Sequence, residues 1–404
     1  MNTTTQRMLA LHAEGQPLPI RLLLKLLSRI RLGHLKLVAP NGQAFHFRGS
    51  KPGPEGTIVI RDAAAVRRTL FGGDLGLAEA YMDGQWETPD LMAFLELGLL
   101  NLQSFSVGTP SRLRRMFDSL VHALRRNTRK GARRNIQYHY DLGNDFYKLW
   151  LDETLTYSSA VYENPEQPLV DAQHNKYRRL IRKLDLRAGH HLLEIGSGWG
   201  GFALYAAATT GCRVTSITLS EEQLKEARAR AETAGLADRV EFQLIDYRDV
   251  QGEFDRIVSI EMFEAVGQHY WDAYFQAVHD RLKPGGRAAF QIITMNDHSF
   301  EHYRHTVDFI QKYIFPGGIL PSVSAWERCV EQAGLKTEER DFHGQDYART
   351  LRAWDRKVQE TEPAIRGLGF DSRFLRMWHY YLAYCQAGFA TSHVDLMQTV
   401  LVRP

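Results

Sequence analysis

Glu194, Gly196, Gly198 and Gly200 stand at alternate positions in Leu192-Leu193-Glu194-Ile195-Gly196-Ser197-Gly198-Trp199-Gly200-Gly201. An apolar run enters this stretch and a helix-forming run leaves it, so it reads as strand, glycine turn, helix. Glycines let the backbone turn tightly and come close to a ligand where a Cβ would clash. An acidic residue followed by glycines at this spacing is a way of holding S-adenosylmethionine (SAM). A dinucleotide site is the competing reading, because glycine spacing alone is weak.

The elements around the turn must position it. From about residue 135 strands alternate with helical patterns, which predicts an α/β, Rossmann-like domain with a mostly parallel sheet and helices on both faces. Strands are expected at 191–195, 213–219, 240–245, 256–260 and 288–294, and helices at 202–209, 221–234 and 271–281. Leu282-Lys-Pro-Gly-Gly286 reads as a turn feeding the fifth strand. Ligands of such sheets sit beyond the carboxyl ends of the strands, at the switch point. Glu194 and the glycines Gly196, Gly198 and Gly200 then face the methionine part of SAM, and Thr218, Leu219 and Gln223 its ribose. Asp246 faces the adenine amine, Tyr247 packs beside the ring, and Arg248 and Ile260 close the set. The second strand does not end in Asp or Glu, the usual ribose ligand of a dinucleotide enzyme, which counts against NAD. For Ser220 a helix-capping role is the plainer reading.

The first 105 residues read as a small α+β domain. Asn41-Gly42 between 35–38 and 44–48 signals a hairpin, a strand follows at 57–60, and 63–81 looks helical. The run from Ile20 to Leu27, broken by Lys25, reads as an amphipathic helix. Residues 106–134 form a basic linker or amphipathic helix, in which Arg112, Arg114, Arg115, Arg125, Arg126, Arg129, Lys130, Arg133 and Arg134 are balanced by one acid, Asp118. That pattern suits an anionic phospholipid membrane surface, with a solvated linker as the alternative. A homodimer would let such a segment grip a bilayer twice.

With 50 Lys and Arg against 47 Asp and Glu, the net charge of +3 over 404 residues is too small to imply nucleic acid. Three scattered cysteines, Cys212, Cys329 and Cys385, indicate neither a disulfide framework nor a zinc site and favour a cytoplasmic setting. No apolar run reaches the roughly 20 residues needed to span a bilayer. Glu261 and Glu264 lie three apart after the fourth strand, but no further ligand is spaced to make a metal site with them.

Several segments together resemble the cyclopropane-fatty-acid synthase family of SAM-dependent methyltransferases. They include Tyr138-His-Tyr-Asp-Leu-Gly-Asn-Asp145, Leu155-Thr-Tyr-Ser-Ser159, the glycine turn, Met262-Phe-Glu-Ala-Val-Gly267, Lys312-Tyr-Ile-Phe-Pro-Gly-Gly318, Asp346-Tyr-Ala-Arg-Thr-Leu351 and Tyr380-Tyr-Leu-Ala-Tyr-Cys385. The resemblance covers about 135–404 and implies a class I methyltransferase domain with lipid-binding helical insertions and a helical substrate lid. It implies methyl transfer from SAM to the cis double bond of an unsaturated phospholipid acyl chain, by an enzyme held peripherally on the inner face of the membrane. Tyr157 and Ser158 join the cofactor contacts.

In the resembled family a bicarbonate ion is the base that removes the final proton. Carried over, its pocket comprises Ser159, Glu264, Gln291, Ile293 and Tyr347. Ser159 stands where the family has Cys, and Gln291 where it has His, so binding of bicarbonate is in doubt here. Gln cannot carry a positive charge and holds an anion less well. Without bicarbonate, Glu264 becomes the base, and proton loss from a neighbouring chain carbon gives a methyl-branched alkene in place of a ring. The resulting carbocation needs a dry, aromatic pocket, for which Phe146, Tyr157, Phe263, Tyr303, Phe309, Tyr313, Tyr347 and Tyr381 are candidates. The alternatives from other classes are a small-molecule methyltransferase and a SAM- or lipid-binding protein without catalysis.

Overall fold

The computed structural model describes residues 16–105, 131 and 142–404, so the basic stretch 111–134 and the segment from Tyr138 to Asp141 lie outside the described residues, Gly131 excepted. Two compact units emerge: 1–110 with 369–391, and 111–368 with 392–404.

The first unit holds a four-stranded sheet in the order β2-β1-β3-β4, from β1 (Leu32–Val38), β2 (Ala44–Arg48), β3 (Lys51–Ile60) and β4 (Trp86–Glu87). Gly42, at φ +82°, turns the β1–β2 hairpin that Asn41-Gly42 signalled. β3 pairs in parallel with β1, a long-range choice no local signal announced. The helix Ala63–Met82 runs across a kink at Gly73, whose φ of +62° a side chain would resist. Leu18–Leu27 is the expected amphipathic helix, burying Ile20, Leu23 and Leu24. The helix Ser372–Ala390 packs on Leu91–Leu100 and Ala63–Met82. It therefore groups with this unit, whereas the sequence boundary placed it within 135–404. Its Arg376 lies 4.1 Å from the centre of the Tyr81 ring and donates to the Tyr81 and Trp86 carbonyls.

The second unit carries a seven-stranded sheet in the order β10-β11-β9-β8-β5-β6-β7, from β5 (His191–Ile195), β6 (Arg213–Thr218), β7 (Val240–Leu244), β8 (Phe254–Ile260), β9 (Leu282–Met295), β10 (Lys336–Phe342) and β11 (Val394–Val402). β5 to β9 are parallel, while β11 runs antiparallel between β9 and β10. The expected turn at 282–286 is the start of β9, with a register shift between its pairs at Phe254 and Arg256. Alternate strand residues feed two cores: Leu193, Ile257 and Phe290 one, Leu192, Val258 and Ala289 the other. Both faces are thus covered, as a parallel sheet requires. Strand order reverses beside β5 and β8, which places the glycine turn after β5 and Glu261 after β8 at the switch point.

Candidate functional site

The glycine turn leaves β5 with Gly196, Gly198 and Gly200 at φ of +101°, +49° and +86°. Gly196 and Ser197 donate backbone N–H bonds to the Ile217 carbonyl of β6, at 3.0 and 2.9 Å. A Cβ on Gly200 would lie 2.9 Å from Phe242 Cζ, and one on Gly201 2.5 Å from Tyr177 Oη, so these two glycines are packing requirements. A Cβ on Gly198 would meet nothing within 4 Å, which leaves that part of the turn open to a ligand. The helix Gly201–Thr210 starts immediately afterwards.

Glu194, 2% exposed, accepts a hydrogen bond from Ser216 Oγ. Burial pushes its carboxyl up to about 8, opposed by the Ser216 bond and the charge of Lys176. Thr218 Oγ1 donates to Gln223 Oε1 at 2.9 Å, and Ser220 caps the helix Glu221–Thr233, as its spacing suggested. Asp246 is more committed than expected: Arg248 Nε and a terminal guanidinium nitrogen hold both its oxygens, at 2.7 and 2.6 Å. The Arg248 guanidinium lies 5.3 Å from the Tyr247 ring centre and 5.4 Å from that of Tyr270. A carboxylate has further lone pairs, so Asp246 can still accept from an adenine amine.

Past β8 the chain places Glu261 at φ +49°, a left-handed conformation rare for a residue with a side chain, tied down by its N–H to the Gln291 carbonyl at 2.7 Å. The five residues expected to surround an anion all lie in this region, but they divide between two acids. Ser159 N–H and Gln291 Nε2 donate to Glu261 Oε1 at 2.9 and 2.8 Å, and Tyr347 Oη donates to Glu261 Oε2 at 2.6 Å. The Tyr347 hydroxyl thus serves Glu261 and not Glu264. Ile293 contributes through its backbone, donating to Glu264 Oε1 at 2.6 Å. Gln398 Nε2 donates to Gln291 Oε1 at 2.9 Å and so turns the amide nitrogen toward Glu261.

The second oxygen of Glu264 is buried and has no hydrogen-bond partner among the described residues. Burial, then the charge of Glu261, pushes the Glu264 carboxyl up to about 8. Burial also raises Glu261, against the charge of Lys176 and the bonds from Tyr347, Gln291 and Ser159. Glu261 has three donors and a nearby cation, so it ionises before Glu264.

Lys176 escaped the sequence reading. It sits on the helix Leu169–Lys183, whose Lys-Tyr-Arg-Arg-Leu-Ile-Arg-Lys run looks like a solvated basic face, yet it is fully buried and its Nζ donates to Ser158 Oγ at 2.6 Å. Burial brings its pKa down to about 7, against the pull of Glu261, Asp152 and Glu194. Tyr157 joins an aromatic group with Tyr147, Trp150 and Trp354 at centroid distances of 5.5, 5.4 and 5.5 Å, and Tyr347 lies 6.2 Å from Trp354. Trp150 and Trp354 carry no motif and were missed. Phe263 is core, packed among Trp271, Tyr274, Phe275 and Trp326, and Tyr381 packs on Trp378 in the other unit. After β9 the chain forms a helix at Asp297–Tyr303 and a π-helical turn at Ile310–Ile314, a feature frequent at functional sites.

The family model for mycolic acid cyclopropane synthetase matches residues 127–399. The chain is 40% identical over 377 residues to a tuberculostearic acid methyltransferase of Mycobacterium tuberculosis, covering 91% of this chain and 88% of the relative. It is 37% identical over 352 residues to the cyclopropane-fatty-acyl-phospholipid synthase of Escherichia coli K12, covering 86% and 87%. Among solved structures, a mycolic acid cyclopropane synthase complexed with SAH and CTAB superposes with a TM-score of 0.63 at 29% identity, over 67% of this chain and 97% of the other.

Proposed function

The chain belongs to the mycolic acid cyclopropane synthetase family, and from that premise we propose that this SAM-dependent methyltransferase builds cyclopropane rings on the cis double bonds of unsaturated phospholipid acyl chains. The observation that carries the reading is the acid pair Glu261 and Glu264 after β8, beside a glycine turn suited to SAM and a group of aromatic rings. An alkene is a weak nucleophile, so its carbon must be held in line with the methyl group. Bound SAM supplies an electrophilic methyl on a sulfonium. Glu194 and the glycine turn hold its methionine part, with Tyr157 and Ser158 alongside. Thr218, Leu219 and Gln223 line the ribose, and Asp246, Tyr247, Arg248 and Ile260 the adenine end. The faces of Tyr157, Tyr347 and Trp354 shield and stabilise the carbocation left on the chain. A small-molecule acceptor would call for polar groups fixing a heteroatom, whereas the rings here suit an apolar chain.

Reaching a bilayer lipid requires a surface contact, which we assign to the basic segment 111–134 on the inner face of the membrane. No described helix is long and apolar enough to cross a membrane. The test is fatty-acid analysis of a bacterial host that lacks its own cyclopropane synthase and expresses this protein with labelled methionine. Labelled cyclopropane acyl chains are expected. Unlabelled lipid, with SAM binding intact in vitro, overturns the reading.

A further inference from the structure

The oxygen of a bicarbonate ion would need the very donors that the protein has already given to one of its own side chains. Ser159 N–H, Gln291 Nε2 and the Tyr347 hydroxyl all converge on Glu261, two on one carboxylate oxygen and one on the other. A free anion in this place would lie against a like charge and find its ligands taken, which disfavours it. Bicarbonate therefore does not fit this chain. Resting on the function proposed above, we propose that the Glu261 carboxylate is itself the base that takes the proton as the ring closes.

Three features unrelated to the donor count agree. Glu261 is held in a left-handed backbone conformation, and such strain persists where the surroundings over-determine it. Its direction is therefore fixed by the fold. Next, Gln291 accepts from Gln398 on its oxygen and donates to the carboxylate through its nitrogen, a pairing that a cationic ring, which has no acceptor, cannot make. Last, Glu264 keeps its own oxygen on the Ile293 N–H, outside the donor set, so the two acids have separate partners.

The step balances without a further reagent. The alkene π pair forms a bond to the methyl carbon as the carbon–sulfur bond breaks, its electrons staying on sulfur. The cation now lies on the adjacent chain carbon. Glu261 takes one proton from the new methyl group, and the pair from that C–H bond closes the ring onto the cation. The proton rests on Glu261 as a carboxylic acid and passes to water before the next turnover. One ring, one S-adenosylhomocysteine and one proton are formed.

The experiment uses the full-length protein, SAM with a labelled methyl group, and vesicles of monounsaturated phospholipid, in buffer stripped of carbon dioxide and then supplemented with bicarbonate. Ring formation is expected to be the same within about twofold in both. Glu261→Gln keeps the shape but cannot take a proton, and should lower ring formation by about 100-fold or more while SAM affinity changes little. Glu261→Gly vacates the space, and its lost activity should be restored in part by added bicarbonate. Wild-type activity that vanishes without bicarbonate and returns with it overturns the assignment, as does full activity in a folded Glu261→Gln variant. Absence of methyl transfer from the wild type under every condition would instead refute the underlying function.

Discussion

As the proposed contact of the SAM methionine part, Glu194 should give SAM binding a pH dependence whose sign and size follow from its surroundings. The side chain is buried, has one hydroxyl donor, and carries a carboxyl raised to about 8. In the free protein it is protonated at pH 6 and 7. SAM brings a permanent sulfonium charge and an ammonium, both favoured by an ionised carboxylate, so binding at these pH values must expel a proton. Ionising the group at pH 6, two units below that value, costs about 2.7 kcal/mol, which weakens the apparent affinity by about 100-fold relative to the plateau above pH 8. Kd should therefore change about ninefold from pH 6 to 7 and about fivefold from pH 7 to 8. Isothermal titration calorimetry at pH 6, 7 and 8, in buffers of different ionisation enthalpy, reads both the slope and the proton released. Glu194→Gln should abolish slope and proton release together and bind near the wild-type pH 6 affinity. A wild-type Kd that is flat from pH 6 to 8, or an equal slope in the variant, refutes the argument.

Tyr347→Phe removes one hydroxyl donor from Glu261, a bond to a charged group worth about 1.5–3 kcal/mol. The Glu261 carboxyl should rise and kcat at pH 7 fall, with the acid limb of the pH profile moving upward, whereas a merely structural role leaves that limb in place. Gly200→Ala places a Cβ against Phe242 at φ +86° and should cost about 1–3 kcal/mol, read as a lower Tm. Glu264 has a folded-state pKa of about 8, raised from 4.5, so the native state holds the proton longer and stability attributable to this group falls as pH climbs between those values. Glu264→Gln should remove that decline, making the variant relatively more stable at pH 8 than at pH 5 in denaturant titrations.

The sheet was legible because strand-like runs alternate with helical ones, most plainly in β5, an apolar run ended by Gly196. β5 and the helix Trp271–Arg281 fall where their periodicity placed them. What escaped were choices made by distant partners. β11 slots antiparallel between β9 and β10, and Ser372–Ala390 joins the N-terminal unit. Nothing local to either segment encodes its neighbour. The candidate site divides in the same way. Ser159, Gln291, Ile293 and Tyr347 were picked out from resemblance, and they do gather around the two acids. Which acid they serve was invisible, because it depends on the backbone dihedral of Glu261. Its position three residues before Glu264 gave it no role in the sequence, since no further ligand is spaced to make a metal site, and only the left-handed turn shows where the carboxylate goes. Lys176 was hidden for the opposite reason, a buried cation within a basic run that reads as a solvated face.

The most direct test of the central claim is product analysis with SAM carrying three deuterium atoms on its methyl group, purified protein and vesicles of monounsaturated phospholipid. Ring closure removes one of those deuteriums, so mass spectrometry should show an acyl chain that gains one carbon and retains two deuterium atoms, with no double bond left. A chain that retains all three deuteriums and its unsaturation would mean that the proton leaves from the chain and no ring forms, and would contradict the account.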